Sequence, residues 1–172
     1  MSAQPSVVAV TVEHREGWHR LFADYCMGGG GEAGPEHLAT VWGWLMSPAA
    51  QTRGLVALAD GLPAGLANYR VFERPITGTT GVWIDDLFVD RAYRRRGLAR
   101  ALVEGVRLVA REEGHDVVRW TTRRSNTDAR RLYDRIATEA PVVVYNATPG
   151  SAQRVGRIDP TEPCDHSEVP IG

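Results

Sequence analysis

The residues best suited to chemistry surround one arginine-rich segment, residues 90–99, which contains the run Arg94-Arg95-Arg96-Gly97-Leu98-Ala99. β-Branched and aromatic residues precede it, and leucine and valine at helical spacing follow it, so the segment joins a predicted strand to a predicted helix. The first turn of a helix leaves N–H donors unpaired and carries the positive end of the dipole, while glycine allows close approach to the backbone. The segment therefore predicts either a phosphate site or a solvated basic turn.

Two adjacent acids, Asp85 and Asp86, lie in the strand that precedes this segment. Because side chains alternate along a strand, the two carboxylates are expected on opposite faces of the sheet, with Asp85 on the face of Leu87 and Val89. At least one carboxylate then enters a partly buried setting, which requires a partner since an unpaired buried charge is unfavourable. That partner is either a ligand or one of the many arginines.

The elements that position these residues alternate between strands and helices. Periodicity predicts strands at residues 7–12, 54–60, 64–74, 82–89, 117–122 and 141–145, and helices at residues 16–27, 35–46, 95–113 and after Asn126. A turn at residues 61–63 makes an antiparallel pair, and a right-handed crossover through the helix at residues 95–113 makes a parallel pair. We predict an α/β domain in residues 1–146 and an extended or disordered tail in residues 147–172.

Composition narrows the class of protein. The chain has 172 residues, 43% of them hydrophobic, and no apolar run long enough to cross a membrane. All 20 basic residues are arginine, so no lysine can act as a base, and the net charge of −1 argues against a nucleic-acid partner. No signal peptide or metal-binding pattern is found; Cys26 and Cys164 are expected to be ordinary thiols, and the expected location is the cytoplasm.

Two motifs resemble those of the GNAT superfamily of N-acetyltransferases. The first is a Leu-x-Val strand followed by Arg-x-x-Gly-x-Gly/Ala at a helix start, and it is matched by Leu87-Phe88-Val89 and by Arg94 through Ala99. The second lies on the next helix and is matched by Asn126, Ala129, Leu132 and Tyr133. The acid-acid-Leu-aromatic-Val pattern is similar to the spermidine/spermine and related small-amine branch. The matches are confined to residues 85–133.

The resemblance implies a fold and a co-substrate. The fold is a mixed, mostly antiparallel sheet with a parallel central pair and flanking helices, and the co-substrate is acetyl-CoA. Its pyrophosphate would bind at Arg94, Arg95, Arg96, Gly97, Leu98, Ala99 and Arg100, and its pantetheine at Leu87, Phe88 and Val89. Ala99 replaces the second glycine of the motif, a small departure. Asn126 would contact the cofactor or an active-site water, although helix capping also explains an asparagine there.

The resemblance also implies roles in catalysis. Tyr133 would protonate the leaving thiolate of CoA, and we favour this role over a core position on its apolar helix stripe, which would also explain the residue. An acid would take the proton of the attacking amine, and we place Asp85 ahead of Asp86 or a water in that role. In the N-terminal helices, where the family builds its substrate wall, we interpret the following residues as core: Tyr25, His37, Trp42 and Trp44.

We therefore predict transfer of an acetyl group from acetyl-CoA to a primary amine of a small molecule by direct nucleophilic attack. The mechanism requires no metal and no covalent enzyme intermediate. The open alternatives are acetylation of a protein N-terminus or lysine, CoA binding by a regulatory domain without turnover, and nucleic-acid binding through the arginine cluster. The expected partner is the small-molecule amine, with a homodimer left open.

Overall fold

The computed structural model describes residues 5–149, and its regular elements lie in one compact unit, Met1–Thr138. In chain order they are β1 (Ser6–Ala9), α1 (Arg15–Gly28), α2 (Pro35–Met46), β2 (Arg53–Ala59), β3 (Leu62–Arg74), β4 (Thr79–Val89), α3 (Leu98–Glu112), β5 (Val118–Trp120) and α4 (Thr127–Ile136). Short 3₁₀ turns at Val12–His14 and Arg91–Tyr93 precede α1 and α3. Within residues 5–149 no helix is long and apolar enough to cross a membrane.

The five strands form one sheet in the order β1-β2-β3-β4-β5. The first three pairings are antiparallel, and the crossover through α3 makes β4 and β5 parallel. The predicted mixed α/β fold class is therefore confirmed. The ladder between β4 and β5 ends at Ile84 and Trp120. Beyond that point no strand in the described part of the chain pairs with this edge of β4, so the sheet opens at residues 85–89.

Two apolar clusters cover the two faces of the sheet. On one face, α3 buries Leu102, Val103 and Val106 completely, and these residues repeat at helical spacing as the sequence pattern predicts. On the other face, α1 and α2 bury Trp18 and Trp42 against the strands. We call these the α3 cluster and the α1–α2 cluster. The sheet between them presents alternate side chains to each.

Among the boundaries that differ from the predicted ones, two have a plain physical reason. α3 begins at Leu98 rather than at Arg95, because Arg95 has a φ of 62° and Gly97 a φ of 82°, which no residue of a right-handed helix adopts. β5 covers only Val118–Trp120 because its partner strand becomes irregular at Asp85, where their ladder ends. Both differences fall around the opening of the sheet.

The predicted strand at residues 141–145 is wrong. These residues belong to a second unit, Glu139–Gly172, and its described part, residues 139–149, contains no helix or strand. The side chains Val142, Val143, Val144 and Tyr145 are exposed. β-Branched and aromatic residues favour an extended chain, but a strand also requires a neighbour to pair with, which propensity does not supply. The predicted tail lies mostly outside the described residues, as does Cys164, and its boundary stays a prediction.

Candidate active site

Both acids of β4 face the same side of the sheet because the strand carries a β-bulge at Asp85. Two consecutive residues of β3 pair with Asp86 and Ile84, so Asp85 is left as the extra residue. The bulge shifts the alternation by one position: Ile84 and Leu87 both join the α3 cluster, whereas Asp85 and Asp86 both line a pocket on the opposite face. The prediction that the acids point to opposite faces, with Asp85 beside Leu87 and Val89, is therefore wrong.

The pocket has a volume of about 340 Å³. That size is at the lower end of the usual range for small-molecule sites, roughly 300 to 1,000 Å³. Its walls combine apolar, aromatic and polar side chains from both helices and three strands or loops: Phe22, His37, Val41, Trp44, Thr52, Asn68, Arg70, Asp85 and Asp86. The site is thus a small cleft with two carboxylates and one guanidinium among aromatic rings.

The aromatic residues of α1 and α2 divide between core and pocket. Trp42 is buried in the α1–α2 cluster, as predicted. His37 and Trp44 instead line the pocket, and half of Trp44 is exposed, so the prediction of a core position is wrong for both. Tyr25 packs against the α1–α2 cluster, and its hydroxyl also interacts with Asp86. Helical periodicity identified the apolar stripe but not which of its members border a cavity.

Asp86 is the more enclosed of the two acids. Asn68 Nδ2 donates a hydrogen bond to Asp86 Oδ2 at 3.0 Å, and the hydroxyl of Tyr25 lies near the carboxyl group. Burial raises the pKa of Asp86 above its ordinary value, while Asn68 and Tyr25 oppose that rise; Asp85 adds to the rise and His37 opposes it. A carboxylate with a raised pKa is better suited to accept a proton near neutral pH.

Asp85 is held in an ion pair. Arg70 Nε lies 3.2 Å from Oδ1 and 3.1 Å from Oδ2 of Asp85, and both side chains are about a third or more exposed. Burial raises the pKa of Asp85, and the charge and hydrogen bond of Arg70 lower it. Because the guanidinium already occupies both of its oxygens, Asp85 is less available than Asp86 to take a proton. The salt bridge that the sequence left open is therefore present.

Tyr25 connects α1 with this pair of acids. Burial and the neighbouring Asp86 raise the pKa of Tyr25 to about 12, and the nearby phenol of Tyr133 contributes to the shift. The hydroxyl therefore stays protonated at neutral pH and acts as a hydrogen-bond donor to Asp86. The ring of Tyr25 lies 6.1 Å from that of Phe88, which holds it against β4.

The N-terminus of α3 presents unpaired backbone donors. Gly97 caps the helix in a left-handed conformation, and the first helical hydrogen bond runs from Ala101 N to Gly97 O at 2.9 Å. Glycine has no side chain that could accept hydrogen bonds from the backbone N–H groups of residues 98–100. The space beside Gly97 is open, because a methyl group built there would meet no atom within 4 Å. Together with the left-handed Arg95, this forms an open concave row of N–H groups suited to an anion.

The arginines of this segment do different things. Arg95, Arg96 and Arg100 are exposed around the helix start. Arg94 is turned back toward β4, where its Nε donates to Val89 O at 3.1 Å and its guanidinium lies 5.9 Å from the centre of the Phe88 ring. Arg94 therefore braces the loop against the strand, and the exposed arginines supply positive charge near the N–H groups.

Ala99, which replaces the second glycine of the motif, packs against the α3 cluster. Its methyl group therefore contributes to the core on the side of the helix that faces the sheet. The departure from glycine is consistent with an open anion site, because the row of N–H groups beside Gly97 does not depend on that side chain.

The open edge of β4 has free backbone groups at alternate residues. Asp90 N donates to Ala64 O at 2.9 Å, so even-numbered residues of this stretch bond to β3, while Leu87 and Val89 direct their N–H and C=O groups to the open side. Arg94 occupies one of these groups, the carbonyl of Val89. The remaining ones can pair with an extended ligand. Phe88 pairs with β3 and packs its ring against the α1–α2 cluster.

α4 positions Tyr133 and begins at Asn126. The ring of Tyr133 meets that of Trp120 edge-on at 5.3 Å, burial raises the pKa of Tyr133, and its hydroxyl makes no hydrogen bond within residues 5–149. The phenol thus keeps its proton and is free to donate it. Asn126 Oδ1 accepts from Ala129 N at 3.4 Å and its Nδ2 donates to Thr122 Oγ1 at 3.2 Å, so capping accounts for this residue.

Comparison with known proteins gives the class to which this fold belongs. Residues 15–137 match the model of the Acetyltransferase (GNAT) family. The chain belongs to the GNAT family, and it is an N-acetyltransferase. The predicted superfamily is therefore confirmed.

Individual relatives span most of the chain. The D-amino-acid N-acetyltransferase HPA3 of Saccharomyces cerevisiae is 28% identical over 141 residues, which cover 81% of this chain and 88% of the relative. The aminoglycoside N-acetyltransferase AAC(6′)-Iy in complex with CoA has a TM-score of 0.72 at 20% identity, covering 86% of this chain and 97% of the other. A ribosomal-protein-alanine N-acetyltransferase from Brucella melitensis biovar Abortus 2308 has a TM-score of 0.69 at 22% identity, covering 84% and 98%. The narrower likeness to spermidine/spermine acetyltransferases stays a prediction.

Two residues of the site, Asn68 and Arg70, were missed by sequence analysis. Both lie in β3, two positions apart, and both face the pocket because residues with that spacing share a face of a strand. The available signal was polarity: asparagine is depleted from strands, yet Asn68 follows an apolar run and is 1% exposed. A buried amide in that setting requires a partner, which here is Asp86.

Proposed function

We propose that this acetyltransferase transfers the acetyl group of acetyl-CoA to a primary amine of a small molecule bound in the pocket beside α1 and α2. The observation that carries the proposal is the bulge in β4, which brings Asp85 and Asp86 together in a cleft of about 340 Å³ next to the open strand edge. A cleft of that size fits a small molecule. Its carboxylates attract the cationic form of an amine and can remove its proton.

The open edge of β4 and the N-terminus of α3 fit acetyl-CoA. We assign the pyrophosphate to the backbone N–H groups around Gly97, from Arg95 to Arg100, with the exposed arginines adding positive charge. We assign the pantetheine arm, an extended chain with two amide groups, to the free backbone groups of Leu87 and Val89. Bound in this way, acetyl-CoA supplies the thioester that the amine attacks.

Asp86 is our choice for the general base, which reverses the order favoured from the sequence. Its carboxylate accepts the proton of the amine as the amine attacks the thioester carbonyl, and its raised pKa improves the match to that task. Asp85, paired with Arg70, contributes negative charge that draws the cationic amine into the pocket. A cationic amine first gives up one proton to solvent, and the neutral amine then attacks. A second proton passes from the amine to Asp86 while Tyr133 donates its own proton to the departing sulfur. Asp86 then returns a proton to Tyr133 through solvent, so one proton in all is released per turnover.

Two of the relatives are named for small acceptors, HPA3 for D-amino acids and AAC(6′)-Iy for aminoglycosides. The Brucella relative is named for the alanine of a ribosomal protein, so the preference for a small acceptor rests on the pocket and on HPA3, the relative matched by sequence. Acetylation of a protein N-terminus or lysine is the second candidate. It is favoured less because the acids lie in a pocket of about 340 Å³, a size that suits a small molecule.

The test combines binding and turnover. Thermal unfolding is followed with and without saturating acetyl-CoA, and CoA release is then measured with amino acids, polyamines, aminoglycosides and peptides that carry a free N-terminus or a lysine. We expect acetyl-CoA to raise the melting temperature and at least one small amine to exceed every peptide in kcat/KM. No stabilisation by acetyl-CoA would contradict the assigned co-substrate. Faster turnover of peptides would favour the second candidate, and stabilisation without turnover a CoA-binding regulatory domain.

A further inference from the structure

A chain of hydrogen bonds runs from the centre of the α1–α2 cluster to Asp86. Trp18 Nε1 donates to Asn68 Oδ1 at 3.2 Å, and Asn68 Nδ2 donates to Asp86 Oδ2 at 3.0 Å. Trp18 is 0% exposed and Asn68 is 1% exposed, and Asn68 is the one polar residue that is buried among residues 5–149. These two hydrogen bonds therefore connect a fully buried side chain of the core to a carboxylate that lines the pocket.

The chemistry of the three groups permits one orientation of the amide. The indole N–H of Trp18 is only a donor, so Asn68 must present its carbonyl oxygen to the ring. The amino group of Asn68 then faces Asp86, where the carboxylate accepts. A flipped amide would set two donors against each other at Trp18 and two acceptors against each other at Asp86. At this degree of burial no solvent would relieve those contacts.

We infer that Trp18 and Asn68 are positioning residues, the indole N–H fixing the amide of Asn68 and the amide fixing the carboxylate of Asp86 in its ionised, proton-accepting state. The hydrogen bond occupies one site on Oδ2 and leaves the other lone pairs of the carboxylate for Tyr25 and the substrate. Trp18 thereby acts on the reaction without touching the pocket. The inference rests on the proposed role of Asp86 as the base, but its structural part can be tested without turnover.

Other charged and titratable groups also shift the pKa of Asp86, and the test must separate their effects from that of Trp18. They come from every element packed around the pocket: Tyr25 and Cys26 of α1, His37 of α2, Arg70 of β3 through Asp85, and Asp85 of β4. Tyr25 and His37 favour the ionised form of Asp86, and Asp85 disfavours it. Since none of these groups contacts the indole N–H of Trp18, substitution of Trp18 tests the relay apart from them.

The test is an NMR titration of the aspartate carboxyl carbons in the full chain, with the Asp86 signal assigned by its loss in Asp86→Asn. Trp18→Phe keeps a buried aromatic ring but removes the donor, so the amide of Asn68 can flip; Asn68→Leu removes the amide altogether. We expect both to raise the pKa of Asp86, by about one unit for Asn68→Leu, as lost hydrogen bonds to charged groups do. Trp42→Phe is the matched control, because Trp42 is buried in the same cluster and packs 5.5 Å from Trp18.

The pH dependence of kcat is then measured for the same variants with a single amine acceptor. Because the acceptor is the same, its own ionisation affects every profile equally. We expect the acidic limb to move to higher pH in Trp18→Phe and Asn68→Leu, and not in Trp42→Phe. An Asp86 pKa that is unchanged in the folded variants overturns the relay whether or not the enzyme turns over. If Trp18→Phe does not fold, Asn68→Leu still tests the bond from the amide to Asp86, and an unchanged Asp86 pKa in that variant overturns the relay. A shifted pKa in a protein that acetylates no amine would instead support the relay and count against the proposed function.

Discussion

Arg70 binds both oxygens of Asp85, whereas Asp86, one residue further along β4, accepts a hydrogen bond from the neutral amide of Asn68 and lies near the phenol of Tyr25. Adjacent carboxylates thus have different partners although the bulge turns both into one pocket. An acid already neutralised by a guanidinium is a poor proton acceptor, while a partly buried acid that is not held in such an ion pair is a better one. This difference leads to the first prediction.

Asp86→Asn should lower kcat for amine acetylation by about 10²- to 10⁴-fold, because the amide cannot accept the proton of the attacking amine. Asp85→Asn should have a smaller effect, felt mainly as a higher KM for the amine, since its charge attracts the cation without taking the proton. Steady-state kinetics with both substrates varied distinguish the two. Equal losses of kcat in the two variants would show that Asp86 has no special role.

The pH dependence of stability should reveal the buried charge of Asp86. Because its pKa is raised in the folded protein, the ionised carboxylate destabilises the fold at neutral pH. That destabilisation fades as the pH falls through the folded pKa, and it is gone below the ordinary aspartate pKa of about 3.9. Thermal unfolding of Asp86→Asn should therefore give a higher melting temperature than wild type at pH 7, with the difference narrowing in acid. A constant difference across that range would contradict the raised pKa.

Gly97→Ala should weaken the use of acetyl-CoA. An alanine at a φ of 82° costs roughly 1–2 kcal/mol, so the loop will relax and disturb the row of N–H groups at the start of α3. Gly114→Ala is the matched control, since Gly114 has a φ of 78° and open space around it, but it lies after the other end of α3. Both variants should lose similar stability in denaturant titrations, whereas only Gly97→Ala should raise KM for acetyl-CoA. An equal KM in the two variants would argue against the assigned phosphate site.

Tyr133→Phe should lower kcat while leaving KM for acetyl-CoA nearly unchanged, because it removes the proton donor and keeps the ring contact with Trp120. We expect a loss of about 10- to 100-fold, toward the lower end of the usual contribution of a general acid, since water can replace it in part. Tyr69→Phe, in the α3 cluster, serves as the control for loss of a buried phenol. If Tyr133→Phe keeps full kcat, Tyr133 is a packing residue only.

Much of the fold could be predicted from the sequence because the spacing of apolar residues along the chain agrees with the helices and strands of the structure. Leu102 and Val106 repeat at helical spacing, which identified α3 although its start was placed three residues too early. These patterns depend on neighbours along the chain. The prediction of a strand at residues 141–145 was wrong because a strand depends on a distant partner, which no local pattern specifies.

The arrangement of the site was harder to predict than its location. The sequence predicted Asp85 and Asp86 in a strand and Gly97 beside a helix start, as the structure has them, but strict alternation along β4 gave the wrong face for one acid. A bulge is an extra residue in a ladder, so it becomes visible only when the register with the next strand is known. For the same reason the contact of Asn68 with Asp86, across two strands, could not be read from either strand alone.

The most direct test of the proposed chemistry is CoA release on addition of a small primary amine, measured side by side for wild type and Asp86→Asn at saturating acetyl-CoA. We predict amine-dependent release by wild type that is reduced by at least about 100-fold in Asp86→Asn. Acetyl-CoA should raise the melting temperature of both proteins equally, since Asp86 does not hold the co-substrate. Full turnover by Asp86→Asn, or no amine-dependent release by a wild-type protein that binds acetyl-CoA, would contradict the proposal.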